Sequence, residues 1–83
     1  MNPRGRHNAI LAELAFEAGN AATLLTLQQG LERTHSIPAT RAMLSGDLQV
    51  LSDMGLVKVS GDLARLTDRG MDVVRGRAEL PEA

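Results

Sequence analysis

The sequence predicts a mostly α-helical domain carrying one small β-hairpin. Three observations predict it. Apolar residues recur at helical spacing in four successive stretches. A β-favouring run, Leu56-Val57-Lys58-Val59-Ser60, is followed by the turn pair Gly61-Asp62 and a return strand, Leu63-Ala64-Arg65-Leu66. The chain has 83 residues, of which 43% are hydrophobic, so it can build one small core. We therefore expect a single domain over residues 1–83, with a flexible arm at 1–5 and a flexible tail at 79–83.

The first helix is expected from about Arg6 to Ala18. Ile10, Leu11, Leu14, Ala15 and Ala18 form its buried stripe, Ala9, Ala12 and Phe16 widen it, and Glu13 and Glu17 stay polar. Gly19-Asn20 ends it, because glycine suits the left-handed position after a helix. Asn20 then caps a second helix over about Ala21–His35, accepting from an early orphan N–H. Leu24, Leu27 and Leu31 share one face of that helix, with Leu25 beside them. Gly30 weakens it by roughly 1 kcal/mol relative to alanine, which points to close packing or plain tolerance.

Pro38 removes a donor and disfavours helical geometry at Ile37, so the third helix starts around Pro38–Thr40 and ends near Met54. Leu44, Leu48 and Leu51 make its core stripe, with Met43, Val50 and Met54 alongside. Arg41, Ser45, Gln49 and Ser52 fall on the other side and share a solvent face. The hairpin that follows is short. Thr67 reads as the cap of a fourth helix, with Asp68 at its positive end. Met71, Val73 and Val74 dock this helix, which fades near Gly76 to Ala78.

Composition narrows the function. Without cysteine there is neither a disulfide scaffold nor a thiolate metal site. Phe16 is the sole aromatic residue, so stacking platforms for single-stranded nucleic acid are not expected. No signal peptide and no run of membrane-spanning length stands out, and the expectation is a soluble intracellular protein. Nine Lys/Arg stand against ten Asp/Glu, a net charge of −1 that weighs against strong sequence-independent binding to DNA. His7 and His35 are too few for a metal site and read as surface or cap-neighbouring residues. Asp47, Asp53, Asp68 and Asp72 read as solvated or capping carboxylates. With no phosphate loop and no nucleophile–base arrangement, neither an enzyme nor a cofactor is expected.

A helix feeding straight into a small hairpin is the core of a winged helix-turn-helix. The run Asp47-Leu48-Gln49-Val50-Leu51-Ser52-Asp53-Met54-Gly55-Leu56-Val57 resembles the end of the recognition helix in ArsR-like and MarR-like regulators, where a leucine pair precedes Gly-Leu-Val at the start of the wing. Leu66-Thr67-Asp68-Arg69-Gly70 resembles the Leu-Thr-x-x-Gly that closes the wing there. From Asp47 to Gly70 these motifs span just under a third of the chain. As a whole, with Arg-Gly-Arg-His at its start, the chain is similar to a small winged-helix protein of Mu-like bacteriophages and prophages. That resemblance implies a phage transcriptional regulator or DNA-recognising accessory factor in the cytoplasm of a bacterial host. Metal sensing does not carry over, since the cysteine ligands are missing.

On this pattern the third helix is the candidate reader of duplex DNA. A helix fits the major groove. Arg41 suits guanine O6 and N7, Gln49 suits adenine N6 and N7, and Thr40 and Ser45 suit phosphates or bases. The bland alternative is a solvated helix face. On the hairpin, Lys58 and Arg65 either grip phosphates or protect a sheet edge from unwanted pairing. Arg4 and Arg6 suit a phosphate-seeking arm. A homodimer joined through the Ala-rich first helix and the fourth helix fits a two-fold DNA site. The competing expectation is a winged helix that binds a phage protein during assembly or DNA packaging.

Overall fold

The computed structural model describes residues 3–76, with side chains from Gly5 onward. Among these residues, four α-helices pack with a small three-stranded antiparallel sheet. Their order is α1 (Pro3–Phe16), β1 (Ala21–Thr23), α2 (Leu24–His35), α3 (Arg41–Asp53), β2 (Val57–Ser60), β3 (Leu63–Leu66) and α4 (Asp68–Val74). The expected fold class, mostly helical with a small hairpin, is thus present, together with a third strand. The expected tail at 79–83 lies outside the described residues.

The leucine stripes meet in one core. Ile10, Leu11 and Leu14 of α1 pack with Leu27 and Leu31 of α2 and with Leu44, Leu48 and Leu51 of α3. Leu56, Val57, Ala64 and Leu66 close it from the sheet side, and Met71 and Val73 of α4 pack against it. Each fully buried leucine contributes about 1.5–3 kcal/mol through the apolar area it removes from water.

Several expectations at the start of the chain are corrected. The helix α1 begins at Pro3, so residues 3–5 of the expected arm are helical. It ends at Phe16, leaving Phe16 84% exposed, and Ala18 lies at the surface. Asn20 does not cap α2. Gly19 and Asn20 both take left-handed backbone (φ 69 and 55), and Ala18–Asn20 forms a single 3₁₀ turn. The chain then runs extended, and Ala21–Thr23 pairs with β3 in the register Ala21↔Arg65, Ala22↔Ala64 and Thr23↔Leu63. The sheet order is therefore β1-β3-β2, which makes β3 central. Thr23 is the true cap, its side chain accepting from Thr26 N at 3.2 Å. Leu25, expected beside the core face, lies about 100° round the helix from Leu24 and is 57% exposed.

The third helix and hairpin stand where expected. Thr40 caps α3, and its hydroxyl oxygen accepts from Met43 N at 3.1 Å. Met43, expected beside the core, is exposed. Thr67 ties the last turn of the fold together. Its hydroxyl donates to Gly55 O at 2.7 Å and accepts from Gly70 N at 3.1 Å. Gly70 is fixed by contact: a Cβ built there would stand 2.2 Å from the Leu56 carbonyl oxygen.

Candidate nucleic-acid interface

The inner side of α3 holds a charge that the sequence pattern placed in solvent. Asp47 is only 5% exposed. Its carboxylate accepts from Arg6 through Nε and through Nη2, the latter at 2.9 Å, and lies 3.3 Å from His7 Nε2. His7 is 4% exposed, so it is neither a surface nor a cap-neighbouring residue. The bond to Asp47 raises the Arg6 guanidinium above its usual range; burial acts against this, and the carboxylate's charge adds to it. Arg6 is therefore not a phosphate-seeking arm but a brace from α1 to α3. The side chain of Arg4 lies outside the described residues.

A second buried carboxylate braces α1 to α2. Glu13, expected to be solvated, is 7% exposed. It lies across Gly30, where a built Cβ would stand 2.5 Å from Glu13 Cδ, and its Oε1 is 3.6 Å from His35 Nε2. Gly30 therefore reflects close packing. The signal for all three buried polar residues was positional. His7 and Glu13 stand three residues from Ile10, and Asp47 stands three from Leu44 and four from Leu51. Those are stripe positions.

The outer side of α3 carries Arg41, Ser45, Gly46 and Gln49, all exposed. Ser52, expected with them, is half-buried. Gln49 Nε2 donates to Asp53 Oδ1 at 3.1 Å. Ser45 and Gln49 line one wall of a cleft of about 70 Å³ beside the hairpin tip. Leu24, Leu48 and Val59 supply its apolar floor, and Gly61 and Asp62 of the hairpin turn also line it. The tip is anchored there, because Leu24 N donates to Asp62 O at 2.9 Å.

Lys58 and Arg65 lie elsewhere on the hairpin. Val59 lines the cleft, so its neighbour Lys58 points to the other face of the sheet. There the register sets Lys58 directly opposite Arg65, and both are exposed. Arg65 stands on the central strand, so edge protection does not explain it; Lys58 does stand on an edge strand. The fold thus brings Ser45 and Gln49 together, and Lys58 and Arg65 together, as two separate groups.

Three of these placements cost the fold stability. Arg41 occupies the first position of α3, where the helix dipole disfavours a cation. Gly46 interrupts the middle of the helix, yet a Cβ there would meet nothing within 4 Å. It lacks the packing reason that Gly30 and Gly70 have. Lys58 faces a like charge across the hairpin, which is destabilising. Costs of this kind collect at surfaces that serve a ligand.

No family model, curated protein or solved structure matches this chain. Among the described residues, no helix is long and apolar enough to cross a membrane.

Proposed function

We propose that this chain is a winged helix that binds double-stranded DNA, with α3 in the major groove and the β2–β3 hairpin as a short wing. The observation that carries this reading is the cost just described. Arg41 at the positive end of α3, and Lys58 against Arg65, are placements that a nearby polyanion turns from unfavourable to favourable. The element order and the sheet order β1-β3-β2 support it, since they leave the outer ridge of α3 uncovered beside the hairpin. So does the likeness of the Gly-Leu-Val and Leu-Thr-Asp-Arg-Gly segments to ArsR-like and MarR-like regulators and to small winged-helix proteins of Mu-like phages. On this reading the protein is a phage transcriptional regulator or a DNA-recognising accessory factor. It acts as a dimer, because one short helix reads few base pairs.

Fluorescence polarisation on labelled duplex tests the reading. Affinity is expected to fall steeply with salt, and Arg41→Ala to lose about 1–3 kcal/mol of binding at the selected site. Absence of duplex binding at low salt would remove it.

One observation favours a second reading, a protein-binding module in phage assembly or DNA packaging. Phe16, the sole aromatic residue, stands 84% exposed at the end of α1. Arg41 is also the one basic residue in α3, which ends in Asp53. Under this reading Phe16→Ser abolishes capture of the partner, and changes at Arg41 do not.

A further inference from the structure

We infer that the cleft beside α3 selects an A·T base pair, with its apolar floor taking the thymine methyl group while Gln49 reads the adenine. This inference rests on the DNA-binding reading and names the base that the same surface recognises.

Apolar contact and charge choose the occupant. The cleft has room for a methyl group on the edge of a base. Leu24, Leu48 and Val59 offer it apolar contact and no hydrogen-bond partner. Of the four bases, thymine alone carries a methyl in the major groove. Asp62 also lines the cleft, and its carboxylate repels phosphate oxygens. The cleft is therefore shaped for a base edge and set against the backbone.

The side chains beside the cleft match the rest of an A·T pair. Asp53 can only accept, so it holds the Gln49 amide with its nitrogen toward the carboxylate. The amide oxygen and the second N–H remain for a ligand. They suit the adenine N6 amine and N7 in turn. The Ser45 hydroxyl lines the same cleft and can donate to thymine O4. N7, N6, O4 and the methyl follow one another across the major-groove edge of an A·T pair. Gln49, Ser45 and the apolar side chains of the cleft offer a partner to each of these groups. Asp53 is a positioning residue, acting through Gln49. At Gly46, where nothing stands within 4 Å of a built Cβ, no side chain keeps the base pair away from the helix backbone.

The test uses the full chain and a pool of random duplexes. Selection is expected to enrich a motif containing an A·T pair. In that duplex, replacing one thymine by deoxyuridine removes only the methyl group. At the selected position this should weaken binding about fourfold, as expected for one buried methyl, and at other positions it should not. The difference between thymine and deoxyuridine should disappear in Val59→Thr, which keeps the shape of a partly exposed strand residue and makes the floor polar. Asp53→Ala should weaken the adenine preference without changing the salt dependence. If duplex binding is intact but every thymine tolerates deoxyuridine, or cytosine is preferred there, this inference falls and the DNA-binding reading stands. If no duplex binds at low salt, both fall.

Discussion

On its inner side α3 buries Leu44, Leu48 and Leu51 and a carboxylate, Asp47, held by two residues of α1. On its outer side it carries Arg41, Ser45, Gly46 and Gln49, and no other element is hydrogen-bonded to any of their side chains among the described residues. The inner residues are explained completely by what they touch. Those outside are a poor choice for a helix that only had to be stable: a cation at the wrong end and a glycine in open space. The contrast teaches where to look for function. A fold explains its own interior, and what it leaves unexplained, at a cost, faces something else.

Substitutions test the two faces separately. Leu51→Ala, at a fully buried position, should cost about 3–4 kcal/mol of unfolding free energy in urea titration. Asp47→Ala should cost about 3 kcal/mol, because it leaves the Arg6 guanidinium without its partner in a largely buried site. If Asp47→Ala unfolds no more easily than the parent, the inner carboxylate is not a brace. Thr40→Ala removes the cap of α3 and should lower stability by about 1 kcal/mol. Gly46→Ala should do the opposite, raising stability by about 0.5–1 kcal/mol and the thermal midpoint with it. Arg41→Ala should leave unfolding within about 0.5 kcal/mol of the parent or slightly improve it. A large loss of stability in Gly46→Ala or Arg41→Ala would show that the outer face serves the fold after all.

The elements that were legible in the sequence are those fixed by local chemistry. The leucine spacing of α3, the Gly61-Asp62 turn and the Thr67 cap needed no knowledge of the rest of the chain. The strand β1 was illegible for the opposite reason. Ala21-Ala22-Thr23 has little β-preference of its own, and it is a strand because β3 offers an edge and Ala22 is small enough to lie over the core. Missing it set the expected start of α2 at Ala21 rather than Leu24. The buried ion pairs were hidden because a carboxylate in a stripe position looks like one in solvent until its partner is found 41 residues away. At the candidate interface, Arg41, Ser45 and Gln49 were placed correctly on one face by spacing alone. That Lys58 and Arg65 form a separate group needed the strand register.

The carboxylate lying across Gly30 has a consequence for substitutions there. Any side chain at position 30 must displace Glu13, since even a Cβ there would stand 2.5 Å from its Cδ. A side chain at 30 therefore turns the end of Glu13 aside and takes it away from His35. Positions 13, 30 and 35 are thus coupled by contact, as are 6, 7 and 47. A change at one member of either triplet is felt by side chains on a different helix.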